Sequence, residues 1–344
     1  MNILYFIGNG FDIGVGLNTQ FMKVLPLYVA EKSDDIILKY FKENINQNIN
    51  SWAAFEERMG LYTNEIKKKE TPIETFIDYM NCVLDFKKFL NSYLKNEEKR
   101  VNYSDTQRIA ELFNKSILNF TRCLNRDPKL ILDEMEKEAI NFSYINFNYT
   151  SVFDQCLNIF KESNIFPQEK RVKSGFFNMT KRNDLGNVIH IHGTLESDMI
   201  LGVNDLRQIA NIDFHTLEKI SRYIKPDANN ALENHKNTDV MRLLKEANIY
   251  CIFGMSLGNT DKKWWFEICK QLINNPEKHL IIYAYSENHD ASFLENTLEE
   301  KDLCKNTFLK HLQFSELNKE NLIKEIQKNI HIVINENIFK ICLV

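Results

Sequence analysis

Six short apolar runs punctuate this sequence, and their spacing restricts the fold more than any other feature. They are Ile3–Ile7, Phe142–Phe147, Val188–Ile191, Ile249–Phe253, Leu280–Tyr285 and Ile330–Ile334. Each is rich in β-branched and aromatic residues and far too short to cross a membrane as a helix. Unbroken apolar runs of this length suit strands buried on both faces, as in a parallel sheet. Helically spaced segments separate them. Strands alternating with helices predict an α/β, Rossmann-like parallel sheet with helices on both faces.

One interval breaks the alternation. From about Phe21 to Ala139 there is no strand-like run, only amphipathic Lys/Glu-rich segments. The reading is a large α-helical insertion, roughly 21–139, after the first strand–loop–helix unit. Its aromatics at helical spacing (Tyr40/Phe41, Trp52/Phe55, Phe76/Tyr79 and Phe86/Phe89) are expected to be packing stripes. A second helical stretch is expected from about Asp205 to Ala247, between strands near Ile200 and Ile249. No low-complexity linker divides the chain, so 1–344 reads as a single domain.

Bulk properties narrow the function. A hydrophobic content of 44% with 26% charged residues is that of a globular protein, and disorder is not indicated. The formal net charge of −4 offers no long-range attraction to a phosphate backbone, so a nucleic-acid partner is not expected. The N-terminal apolar run has no basic residue before it and is neither a signal peptide nor a membrane span. Seven dispersed cysteines without a C-x-x-C pair read as reduced thiols and not as a zinc cluster. A cytoplasmic location, away from membranes, is expected.

Four motifs follow predicted strands, at the edge where open α/β sheets bind ligands. Gly8-Asn9-Gly10-Phe11-Asp12 would let backbone N–H groups approach a phosphate, although a tight turn that simply needs glycine explains it as well. Asn146-Phe147-Asn148-Tyr149-Thr150 offers polar side chains, or a helix cap. In His190-Ile191-His192-Gly193-Thr194, period-two alternation places both histidines on one strand face. His192, nearest the strand end, is the candidate for chemistry, with His190 supporting it; no carboxylate or cysteine at ligand spacing suggests a metal. Gly254-Met255-Ser256-Leu257-Gly258 brings backbone and hydroxyl donors, and Asp261 is placed to cap the helix beginning at Lys262.

In this order the motifs resemble the bacteriophage abortive-infection AbiH family and, more distantly, the sirtuin-like superfamily. Trp52-x-x-Phe55-Glu56 also resembles an AbiH signature, and the likeness runs from Gly8 to Asp261. The resemblance implies a Rossmann-type domain that binds NAD or a related nucleotide in anti-phage defence. Under it, Gly8 and Gly10 would cradle the pyrophosphate, Asn148 would hold the ribose or attacking water, and His192 would be the catalytic histidine. Gly254 and Ser256 would contact the dinucleotide. Asn9, Phe11, Tyr149, Gly193 and Asp261 complete the expected binding set. The absence of paired C-x-x-C motifs argues against protein deacetylation.

The expected activity is NAD glycohydrolysis, with Asn148 positioning ribose and water, His192 as base and Asp12 stabilising the developing cation. Glu56 would approach from the insertion. No metal is expected, and a phage-derived trigger, a homo-oligomer or a defence partner would control the reaction. One alternative is a nucleotide-binding sensor without turnover. Another is a metal-dependent nuclease using Asp12, Glu56, Asp154, Asp205 and Asp261.

Overall fold

The apolar runs become strands because most residues in them are buried, although Val188–His190 are only half-buried and Tyr285 is exposed. The computed structural model describes residues 1–46, 49–135, 139–167, 169–174, 177–312 and 319–344. Strand β1 (Asn2–Ile7) pairs in parallel with β2 (Asn141–Asn146) on one side. A separate antiparallel hairpin follows, formed by β3 (Glu169–Ser174) and β4 (Phe177–Arg182). Strand β5 (Asp184–His190) then extends the sheet beyond β2. On the other side of β1 lie β6 (Ile249–Phe253), β7 (His279–Ala284) and β8 (Ile330–Ile334), all parallel. The spatial order is β5-β2-β1-β6-β7-β8. Counting sheet strands along the chain, this is 3-2-1-4-5-6, the order of doubly wound dinucleotide-binding folds. The direction of winding reverses between β1 and β6.

Helices cover both faces, and the long insertion proves to be two structures. After α1 (Gly10–Val15) come α2 (Phe21–Ala30), α3 (Ile36–Ile45), α4 (Trp52–Tyr62) and α5 (Pro72–Glu98). These four form their own apolar cluster, shared with residues between Leu195 and Ile224. In contrast, α6 (Thr106–Leu118) packs on the sheet beside α8 (Val152–Glu162), with α7 (Arg126–Met135) between them in sequence. The opposite face is covered by α10 (Lys236–Glu246), α11 (Lys262–Asn274), α12 (Leu294–Leu309) and α13 (Lys319–Gln327), after the short α9 (Lys225–Ala231). Among the described residues no helix is long and apolar enough to cross a membrane.

Local chemistry sets these boundaries. Helix α5 starts on a capping box, Thr71 with Glu74, and on Pro72 in its first turn. Asp35 and Ser51 cap α3 and α4 through their side chains. Of the expected packing stripes, Phe41, Phe55, Phe76, Tyr79 and Phe86 are buried, Trp52 and Phe89 half-buried, and Tyr40 exposed. Phe86 is central, with ring centroids 4.5 Å from Phe55 and 4.9 Å from Tyr28. Phe86→Ala is expected to cost about 3–5 kcal/mol, read as a lower urea midpoint, because a helical layer of this size cannot collapse around the lost ring.

One expectation needs correction, and one element is new. The segment near Ile200 is not a strand: it has only an isolated bridge, Val203 to Ile224, and 3-10 turns precede α9 and α10. The hairpin β3–β4 was not anticipated, because Glu169-Lys170-Arg171-Val172-Lys173-Ser174 carries almost no apolar pattern.

At the edge of the sheet remote from the motifs, His279 Nδ1 and His331 Nε2 share a hydrogen bond of 3.1 Å. Burial lowers the proton affinity of both; His331, also facing His279 and Lys305, falls to about 4. The unfolded chain therefore takes up protons first as the pH drops below the ordinary histidine value, and native stability is lost between roughly pH 6.5 and 4. A loss of about 2–3 kcal/mol over that window is expected from denaturation midpoints, and His331→Phe should flatten it.

Candidate functional site

Two buried polar clusters stand side by side beyond the carboxyl ends of β1, β2, β5 and β6. The loop after β2 divides between them. Its alternate residues Asn148 and Thr150 turn towards α1, while Phe147 turns towards His192 and Trp265 and Tyr149 packs against the insertion.

The first cluster centres on Asp12, which is 2% exposed. Thr150 Oγ1 donates to Asp12 Oδ2 at 2.6 Å, and Asn148 Nδ2 donates to Asp12 Oδ1 at 3.2 Å and to Gly8 O at 3.1 Å. Behind Asn148, the ring nitrogens of His190 lie 2.9 Å from Asn148 O and 2.9 Å from Asp154 Oδ2. Burial dominates the Asp12 carboxyl and raises it to about 7, against the lowering effect of Thr150, His190 and Asn148. A carboxyl that titrates near neutrality at a sheet edge is a mark of a functional site.

The shift has a price in stability. A carboxyl whose folded value is raised favours the fold least at high pH: stability falls as the pH rises from the unfolded value near 4 through 7. Asp12→Asn retains an acceptor for Asn148 and gains an N–H for Thr150. It is expected to stabilise the protein by about 1–3 kcal/mol at pH 8 and to have little effect at pH 4, as checked by thermal denaturation at both values.

The second cluster is ionic. His192 Nε2 lies 2.9 Å from Asp261 Oδ1. Lys225 Nζ donates to Glu56 Oε2 at 2.7 Å and to Asp261 Oδ2 and Oδ1 at 3.1 and 3.3 Å. His192 and Lys225 are only 5% and 4% exposed. Burial pushes both carboxyls up, but Asp261 faces Lys225 and His192 together and is held well below the usual carboxylate range. Glu56 shares only Lys225 closely, and burial with the nearby Asp261 leaves it raised. Burial opposes the charge on Lys225, yet Asp261 and Glu56 outweigh it and raise its proton affinity. The cluster thus keeps one firm negative charge, one firm positive charge and a carboxyl of raised proton affinity. The edge of Phe147 meets the His192 ring at 5.1 Å, and Tyr149 donates to Ile200 O at 2.6 Å.

Glu56, placed on α4, meets the sheet edge as expected. Two other expectations change. The histidines do not share a face. Strand β5 ends at His190, and the turn at Gly193, with φ of +79°, carries His192 across to the second cluster. A Cβ at Gly193 would collide with Asp198 O, so the turn requires glycine. Nor does Asp261 cap α11; its carboxylate is taken by His192 and Lys225.

The glycine loops meet each other. Gly8 N donates to Phe253 O at 2.9 Å, and Gly10 N to Gly254 O at 3.0 Å. A Cβ on Gly10 would collide with Gly254 Cα, so the loops after β1 and β6 touch where the winding reverses. Asn9 Nδ2 donates to Thr19 O, Phe11 lies in the core against Phe153 and Phe339, and Ser256 is exposed. The five carboxylates considered for a nuclease fall in three places: Glu56 with Asp261, Asp12 near Asp154 through Asn148 and His190, and Asp205 on Lys262.

Sequence reasoning missed Lys225. Its one local signal is a cation at the first position of a helix, where the positive end of the dipole disfavours it. Such a broken local rule points to a functional or structural partner elsewhere.

The model of the family described as bacteriophage abortive infection AbiH matches residues 4–285. The chain belongs to the AbiH family. No curated protein matches it. The AbiH match takes in β1 to β7, the helical insertion and both clusters, and it supports an anti-phage abortive-infection role. In this AbiH protein the ionic cluster joins four stretches far apart in sequence: α4, the start of α9, the loop after β5 and the loop after β6.

Proposed function

We propose that this AbiH protein acts in abortive infection as a sirtuin-like hydrolase of the nicotinamide–ribose bond of NAD. The observation that carries the reading is the buried His192–Asp261 pair beside a strand order associated with dinucleotides. With its Nε2–H given to Asp261, His192 keeps Nδ1 as a proton acceptor, the tautomer a general base needs. Asp261 fixes the ring and offsets the charge His192 gains. Its negative charge also favours an oxocarbenium-like transition state. Asp12 and Asn148 bond each other, and in this reading they hold the loops of β1 and β2 at the point of reversal. NAD consumption by the purified full-length protein, with free nicotinamide and ADP-ribose as products, tests the proposal. Intact NAD in the presence of the phage-derived trigger would remove it.

A second reading is a nucleotide-binding sensor without turnover. It is favoured by the closure of this edge: Gly10 bonds Gly254, and Glu56 locks α4 onto Lys225. Nucleotide retained for hours without product would decide for the sensor.

A further inference from the structure

Two buried side-chain oxygens beside the ionic cluster have no hydrogen-bond partner among the described residues. The three N–H donors of Lys225 have Glu56 and both oxygens of Asp261, and His192 Nε2 has Asp261. Beside them is a cavity of about 10 Å³, lined by His192, Lys225, Asn229, Thr260 and Asp261 among others. Asn229 Oδ1 and Thr260 Oγ1 have no hydrogen-bond partner among the described residues. Their residues are 2% and 1% exposed, so bulk solvent does not serve them. Asn229 Nδ2 donates to Ile191 O at 2.8 Å, which fixes the amide orientation and leaves Oδ1 as the open acceptor.

One molecule of water fits this arrangement. The volume is about that of a single water probe, and buried waters make two to four hydrogen bonds to otherwise unsatisfied groups. Water would donate to Asn229 Oδ1 and accept from the Thr260 hydroxyl. One O–H would remain for His192 Nδ1 to accept, and one lone pair for the bond to the substrate carbon. The Lys225 ammonium on the same wall disfavours a metal cation, and the Asp261 carboxylate disfavours an anion.

We propose that this cavity, where the open oxygens of Asn229 and Thr260 face the His192–Asp261 pair, seats the hydrolytic water. The proposal rests on the NAD-hydrolase reading. Water loses a proton to His192 as its oxygen bonds to the anomeric carbon of the nicotinamide ribose. The carbon–nitrogen bond breaks, and its electron pair neutralises the pyridinium ring as nicotinamide leaves. Asn229 and Thr260 are positioning residues, since they act through the water.

The test joins a high-resolution crystal structure of the full chain with NAD turnover by Thr260→Val, Thr260→Ser and Asn229→Leu. The expected result is an ordered water bonded to both side chains. Thr260→Val, nearly isosteric, should lower kcat on the order of a hundredfold with KM unchanged, and Thr260→Ser should restore it. A dry cavity in the parent chain overturns the water site. An ordered water with parental kcat in Thr260→Val overturns its hydrolytic role. An ordered water in a parent chain that leaves NAD intact under activating conditions overturns the hydrolase reading and the hydrolytic role together, while the water site stands. Should Asn229→Leu fail to fold, the two Thr260 variants carry the test alone.

Discussion

Lys225→Ala is expected to destabilise the protein by about 3–5 kcal/mol, the loss typical of removing one partner from a buried ion pair. Two carboxyls, Glu56 and Asp261, would face each other with no cation between them. Their repulsion eases only if Glu56 takes a proton, and burial already inclines it that way. The defect should therefore be larger at pH 8 than at pH 5, since a raised carboxyl in the native state makes stability fall with rising pH. Adding Glu56→Gln should recover part of the loss at pH 8. Urea denaturation of the three proteins at both pH values checks this. A defect independent of pH, or no recovery in the double variant, would show that Lys225 stabilises by packing and not by charge.

Under the proposed hydrolase reading, His192→Ala is expected to lower NAD turnover by about 10²–10⁴-fold, the range for losing a general base. The fold should survive, because Asp261 retains Lys225 and only one hydrogen bond goes, at about 1–2 kcal/mol. That separates His192 from Lys225: the first substitution removes chemistry and spares the fold, whereas the second weakens the fold itself. Rate and melting temperature measured on the same preparation tell the two apart. A His192→Ala protein that consumes NAD at the parental rate would end its assignment as base.

How much of this was legible in the sequence follows from the range of the interactions. The strands at Ile249–Phe253 and Ile330–Ile334 occur where the apolar runs put them, since burial on both faces leaves a mark on every residue. Strand β5 begins at Asp184, earlier than its apolar run, because Asp184 and Leu185 also pair with β2, with Gly186–Asn187 lying in an irregularity of register between them and Val188. The split of the insertion was hidden, since α2–α5 and α6 carry similar amphipathic stripes and differ only in what they cover. At the site, His192 and Glu56 were singled out, whereas the Lys225 that joins Glu56 to Asp261 was not. It bonds a residue 169 positions away, and no local pattern records such a contact.

The contact between the first loop and the one after β6 also has a consequence for synthesis. Central strand β1 leaves the ribosome first, yet its neighbour β6 follows about 246 positions later. At 5–20 residues per second, roughly 12–50 s pass before the second strand can be reached. During that time the ends of β1 and β6 cannot meet, so neither the Gly10–Gly254 junction nor the His192–Asp261 pair exists. A truncated or stalled translation product that lacks the later strand therefore lacks both contacts, and the ionic cluster forms only once the chain through Asp261 has been made.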